Sequence, residues 1–326
     1  MQKNIFLVVG VLVISLIGLV TYTYSTRQDI TGGLCGDSVC NKSVDESDIC
    51  VQDCEVSFEA DTKNTYWVTN PASGAKLFVT VVEPASAQQD STFPALVLVP
   101  GSSGDSSNFV GGSKDAQVVA DEGFAIVLFD PDGRGRSEGT EDYNGFIGQD
   151  GLAAVISFAA QLPIVDEEQI GVVSFSYGIT MAAGTLARYP DLPVQFLIDW
   201  EGPADRDDTG GCDDSHTGHL SDVASCDDEE FWAEREAVTF IKDIRVPYQR
   251  IQTEKDHAQP DLHHAVIMIN AGVEDEAPWV RLNDEEPDQS YEESDLPQML
   301  SENFSKNLME GVTKYAKELL VLDIAN

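Results

Sequence analysis

The sequence predicts an α/β fold, a mostly parallel sheet covered by helices on both faces. Three observations predict it. Wholly apolar runs of strand length recur along the chain. Between them lie segments whose apolar residues fall at helical spacing. Each run ends in a turn rich in Gly, Ser or Pro. A strand with one wet face would alternate polar and apolar residues, so these uniform runs argue for burial on both sides. The hydrophobic share of 42% is that of a folded chain, not a disordered one.

The elements follow in order. Residues 66–68 and 76–82 read as a leading hairpin, joined by Asn70-Pro71-Ala72-Ser73-Gly74. Residues 93–99 form an apolar strand running into Pro100-Gly101-Ser102-Ser103-Gly104. A helix over 115–121 leads to a buried strand at 124–129, which ends in a Gly-rich loop. Residues 151–162 carry apolar side chains at helical spacing. The run Ile170-Gly171-Val172-Val173 then stops at Ser174-Phe175-Ser176-Tyr177-Gly178, and a helix over 179–188 follows. Strands are expected at 195–200, 246–253 and 279–282. A final helix buries Leu308, Val312, Tyr315, Ala316, Leu319 and Leu320 along one face.

The segment at 170–188 has the strand–turn–helix context of a nucleophile elbow. Small residues must flank the central serine, because the turn brings the neighbouring backbone close. Ser174 and Gly178 meet that need. The turn exposes the Ser176 hydroxyl and aims the Tyr177 amide at a developing oxyanion.

Three segments, V-L-V-P-G-S-S-G, F-D-P-D-G-R-G-R-S-E-G and V-S-F-S-Y-G, together resemble the α/β-hydrolases. The dienelactone-hydrolase and prolyl-oligopeptidase-like branches are the most similar. The resemblance covers about residue 62 to the C-terminus. It implies that Ser176 is the nucleophile and that Ser102 supplies the second oxyanion amide beside Tyr177. Here Pro100-Gly101 stands where the family has a histidine–glycine turn.

A serine hydroxyl needs a base, usually a histidine oriented by a carboxylate. The family order is serine, acid, histidine. It implies Asp256, after the strand at 246–253, as the acid, with Asp199 and Glu201 at the end of the preceding strand as alternatives. The histidine is expected after the last strand, but the loop at 283–290 has none. The five histidines are His216, His219, His257, His263 and His264. His257 and His264 lie near Asp256 at the catalytic edge and are the leading candidates for the base. His216 and His219 would deliver it from elsewhere.

Those two fall in an acidic stretch from 203 to about 240, which interrupts the sheet where this fold commonly inserts a lid. Cys212 and Cys226 flank them. The spacing of Cys, His and Asp fits no strong zinc pattern, so a disulfide closing the loop is expected, with no metal and no cofactor.

At the N-terminus, residues 5–24 form 20 uncharged residues preceded by Lys3. That length spans a bilayer. A cleaved signal peptide is the rival reading, but no A-x-A-like site follows. The expectation is an uncleaved single-pass anchor over 1–26, with the bulk of the chain outside the cell membrane. Residues 27–61 hold Cys35, Cys40, Cys50 and Cys54, four cysteines that could bind zinc but in an oxidising compartment pair as two disulfides. The hydrolase domain occupies 62–326.

The formal net charge is −38, from 19 Lys and Arg against 57 Asp and Glu. Phosphate neutralisation needs a basic patch, so nucleic acid is excluded as a partner. The expected activity is cleavage of a carboxylic ester through an acyl-enzyme, on a small-molecule or peptide substrate. The alternatives are a serine peptidase of the prolyl-oligopeptidase type and a non-catalytic surface binding protein on the same scaffold.

Overall fold

A computed structural model of the chain describes residues 56–322 apart from 89, 213–217, 219 and 275–276. At its centre lies a nine-stranded sheet. Its strands are β1 (Phe58–Thr62), β2 (Thr65–Thr69), β3 (Lys76–Val82), β4 (Phe93–Val99), β5 (Ala125–Phe129), β6 (Val165–Phe175), β7 (Phe196–Trp200), β8 (Tyr248–Ile251) and β9 (Val280–Leu282). They lie in the order β1-β2-β3-β5-β4-β6-β7-β8-β9. The pairings β1–β2, β2–β3 and β3–β5 are antiparallel, and every pairing from β5–β4 onward is parallel.

The uniform apolar runs have the expected cause. Along β4, Val97 and Val99 enter one core while Leu96 and Leu98 enter the other. On one face lie α2 (Phe146–Ala159), α3 (Gly178–Arg188) and α7 (His263–Glu274). On the other lie α1 (Ala116–Ala120) and α8 (Leu308–Leu320). The side chain of Asp115 accepts from the Gln117 amide and so caps α1.

β1 lies just before the expected domain start, and no strand was expected there. Its five residues, Phe-Glu-Ala-Asp-Thr, are all exposed, so no apolar run marks it. It is an edge strand held by its ladder to β2 and by ring contacts of Phe58 with Tyr66 and Phe158. The expected anchor over 1–26 and Cys35, Cys40, Cys50 and Cys54 lie outside the described residues. No described helix is long and apolar enough to cross a membrane.

Between β7 and β8 the chain forms α4 (Arg206–Gly210), α5 (Glu229–Ala233) and α6 (Ala237–Ile241). Cys212 and Cys226 are joined by a disulfide that closes the loop between α4 and α5. His216 and His219 lie outside the described residues. Arg206 ties the insert together, pairing with Glu229 and Glu236.

Candidate active site

Ser176 sits between the end of β6 and the start of α3 with φ 53°. A non-glycine residue in that region costs about 1–3 kcal/mol and persists only where its surroundings fix it. The fixing bonds are from the Ser176 amide to the Trp200 carbonyl (2.8 Å) and from the Ile179 amide to the Ser176 carbonyl (3.0 Å).

Two glycines let the neighbouring loop lie against this turn. A Cβ at Gly178 would stand 2.7 Å from the Pro100 carbonyl oxygen. One at Gly101 would stand 2.5 Å from the Phe175 carbonyl oxygen and 2.9 Å from the Ser176 Cβ. The Gly101 contact explains how a proline–glycine turn serves here: the glycine brings Ser102, itself at φ 48°, beside the serine. Ser102, Ser176 and Tyr177 line one cavity.

The His257 Nε2 lies 2.9 Å from the Ser176 Oγ, and its Nδ1 lies 2.8 Å from Glu201 Oε2. The Nδ1–H donating to the carboxylate leaves the Nε2 lone pair facing the serine hydroxyl, the tautomer a general base requires. Glu201 follows β7 directly and is 1% exposed. Its Oε2 also accepts from the His257 amide (3.1 Å), and its Oε1 accepts from the Thr253 amide (3.1 Å) and hydroxyl. The Trp200 ring stacks on the imidazole, with centroids 4.5 Å apart and planes 26° from parallel. Carboxylate, indole and serine thus fix the ring together.

Asp256 and His264 do not take the places expected of them. Asp256 Oδ1 stands 3.5 Å from His257 Nδ1, while Glu201 is far closer. That Asp256 oxygen instead accepts from the Ala258 (2.7 Å) and Gln259 (2.8 Å) amides, folding the loop that carries His257. Its other oxygen accepts from Gln252 Nε2 (3.0 Å) and His264 Nε2 (3.1 Å). Burial opposes ionisation of Asp256, yet the bonds from His264, Gln252 and the Gln259 amide hold its carboxyl well below the usual carboxylate range. His264 is fully buried at the start of α7. Glu201, Asp256 and His257 are also grouped closely enough to ligate a metal. Their atoms are already engaged with one another and with the loop.

Asp199, the other alternative, is fully buried in an ion pair with Arg250 (2.6 Å) and accepts from the Tyr248 hydroxyl. The carboxylate and the imidazole linked to Ser176 therefore each stand one strand nearer it than the family order implies. Glu201 follows β7 and His257 follows β8.

The cavity beside Ser176 has a volume of about 430 Å³. Leu220 and Val223 of the insert give it an apolar side. Arg134 lines it from the loop after β5 and is only 5% exposed. Its Nε and Nη2 donate to the two Glu141 oxygens (2.7 and 2.6 Å), and Nη2 also to Asn144 Oδ1 (2.7 Å). Asn144 Nδ2 donates to the Tyr177 carbonyl (2.8 Å), which couples this arginine to the elbow. Tyr143 and Asn144 have φ 52° and 62°. The Tyr143 amide donates to Glu141 and the Tyr143 carbonyl accepts from the Tyr177 hydroxyl, bonds that hold the strained pair. Burial pushes the pKa of that hydroxyl well above its ordinary value.

The model of the X-Pro dipeptidyl-peptidase (S15) family matches residues 73–314. Among solved structures, Porphyromonas gingivalis dipeptidyl peptidase 4 is 18% identical with a TM-score of 0.53, over 74% of this chain and 33% of that one. The Pyrococcus horikoshii acylaminoacyl peptidase is 14% identical with a TM-score of 0.54, over 84% and 42%. Acetyl xylan esterase 1 from Thermoanaerobacterium sp. JW/SL YS485 is 15% identical with a TM-score of 0.54, over 80% and 88%. The chain thus spans less than half the length of either peptidase, and these likenesses show the α/β-hydrolase fold. No curated protein matches the chain.

Proposed function

We propose, for a chain that belongs to the X-Pro dipeptidyl-peptidase (S15) family of hydrolases, that Ser176, His257 and Glu201 cleave a carboxylic ester through an acyl-enzyme. The carrying observation is the unbroken run of hydrogen bonds from Ser176 Oγ through the His257 ring to Glu201. In this reading Ser176 Oγ attacks the ester carbonyl carbon while its proton passes to His257 Nε2. The Ser102 and Tyr177 amides hold the oxyanion. Collapse breaks the bond to the leaving oxygen, which takes the proton from Nε2. Water then gives a proton to the same nitrogen and attacks the acyl carbon, releasing the acid and restoring Ser176. Glu201 keeps its charge throughout and stabilises the imidazolium.

The ester reading draws on the cavity. A volume of about 430 Å³ with one apolar side suits an acyl group of small-molecule size. The second reading, cleavage of a peptide bond, is favoured by the family's own description. In either reading the insert from 203 to about 240 serves as a lid, a role supported by Leu220 and Val223 lining the cavity. Membrane anchoring through 1–26, with the domain outside, rests on the uncharged run at 5–24 and on the Cys212–Cys226 disulfide, which belongs in an oxidising compartment.

The test compares p-nitrophenyl esters with N-terminally free X-Pro anilides on the purified protein, with Ser176→Ala beside it. Ester turnover that vanishes in the variant supports the proposal. Turnover of the anilides alone would move the assignment to the peptidase reading. Ester turnover that survives in Ser176→Ala would end the proposal.

A further inference from the structure

The chemistry of Ser176, His257 and Glu201 leaves one cation beside the site without a part. Lys114 lies in the loop between β4 and α1, which also carries Ser102. The chain has 57 Asp and Glu, yet no described carboxylate forms an ion pair with Lys114. Its ammonium lies over rings instead. The Nζ stands 4.4 Å from the centroid of the Trp200 ring and 5.4 Å from that of Phe175. The residue is half-buried. Burial pulls the Lys114 pKa below its ordinary value, against the opposing pull of the Glu201 carboxylate. A cation shielded from water gains more from a ring face than an exposed one does.

The two rings have particular neighbours. Phe175 ends β6 and directly precedes Ser176, and Trp200 ends β7 and directly precedes Glu201. Their centroids lie 6.2 Å apart. Both side chains are buried, and Phe175 also packs on Phe109. The Trp200 carbonyl accepts from the Ser176 amide, and its indole stacks on the His257 ring. One ammonium therefore bears on the ring before the nucleophile and the ring before the acid, and through Trp200 on the base.

Holding a lysine side chain in one place costs rotamer entropy, which the attraction to the ring faces offsets. That attraction acts on the indole as much as on the ammonium, so it resists tilting of the ring. A tilted indole would let the imidazole follow and draw Nε2 away from Ser176 Oγ. The 2.9 Å between those two atoms is the reach that proton transfer needs.

We propose that Lys114 is a positioning residue whose ammonium holds the Trp200 indole in the plane on which His257 stacks, and so keeps Nε2 on Ser176. The inference rests on the serine-hydrolase reading and deepens it.

The experiment is a double-substitution cycle on the full chain, with Lys114→Met, Trp200→Leu and the two together. Rates are taken on whichever of a p-nitrophenyl ester and an X-Pro anilide the protein turns over. Lys114→Met keeps an unbranched apolar stem and loses the charge. It should lower kcat by about threefold to tenfold with KM little changed, the worth of a shielded cation–ring contact. On the Trp200→Leu background the same substitution should cost less than about twofold, because the plane that it steadies is gone. Lys114→Arg, which keeps a cation for the ring, should hold kcat within about twofold of the unsubstituted protein. It carries the test if the double variant does not fold. Equal losses on the two backgrounds, a loss carried by KM alone, or a loss in Lys114→Arg equal to that in Lys114→Met would overturn the proposal. Fluorophosphonate labelling of Ser176 in each protein reports the serine-hydrolase reading separately. Labelling with kcat unchanged in Lys114→Met sinks the role of Lys114 alone, and absence of labelling in the unsubstituted protein sinks both.

Discussion

Two histidine–carboxylate pairs stand side by side at the carboxyl edge of this sheet, and they differ in one respect that decides their use. In the pair His257–Glu201 the imidazole is partly open, with 30% of its side chain exposed and its far nitrogen on Ser176. In the pair His264–Asp256 both side chains are buried, and His264 Nδ1 finds no partner among the described residues. On the proposed reading the same chemistry serves proton transfer in the first, while in the second it positions a loop. Asp256 draws the 256–259 turn together with one oxygen and anchors it on His264 and Gln252 with the other. A carboxylate next to a histidine in sequence is therefore no guide to which one orients the ring. The fold decides, and here Glu201, at φ 48° just after β7, meets His257 Nδ1.

Substitutions should separate the two pairs. The largest effect is expected from His257→Ala, which removes the base. Ester turnover should fall by about 10⁴-fold or more, comparable to the loss in Ser176→Ala, because residues that act as one unit give similar single losses. Steady-state rates with the folding of each variant checked by thermal unfolding would show it, and a loss under about tenfold would dissolve the distinction between the pairs. His264→Gln should act in the opposite sense. It removes a buried partner of a carboxylate, so stability should drop by about 2–4 kcal/mol while kcat at low temperature stays within about tenfold. Denaturant melts paired with rates would check it.

A smaller effect concerns Trp200. Replacing it with Leu keeps an apolar contact but loses the stacked plane that steadies His257, so kcat should fall about tenfold with KM little changed. The smallest effect is one of pH. The Asp256 carboxyl is held below its unfolded value, so it contributes stability that is fully present above the ordinary carboxylate range and lost as pH falls through the folded value. Acid unfolding of Asp256→Asn should accordingly show a shallower decline below about pH 4 than the unsubstituted protein. Identical acid limbs would mean that Asp256 is not held ionised by its partners.

The elbow was legible in the sequence because everything that makes it is local. An apolar run, small residues on either side of Ser176 and a helix all fall within twenty residues or so. The sheet was legible for the same reason, since burial on both faces writes itself as uninterrupted apolar runs such as residues 93–99. The acid was not. Glu201 is one of 57 acidic residues, and its role depends on a meeting with His257 across 56 positions of chain. The missing histidine after β9 did signal that the usual arrangement was altered, and it pointed to His257 and His264 together. Burial and the reach of His257 to Ser176 tell these two apart, and neither is written in His257 or His264 themselves. β1 was illegible because Phe-Glu-Ala-Asp-Thr pairs through its backbone while its side chains stay in water.

The central claim is that Glu201, and not Asp256, orients the base. The direct measurement is kcat/KM for one p-nitrophenyl ester in Glu201→Gln and Asp256→Asn, assayed together across pH 5–9. Removing the charge that orients a catalytic histidine costs about 10⁴-fold in a comparable triad. The account predicts a loss of about that order for Glu201→Gln and one of about tenfold or less for Asp256→Asn. Equal losses, or the larger loss in Asp256→Asn, would contradict it.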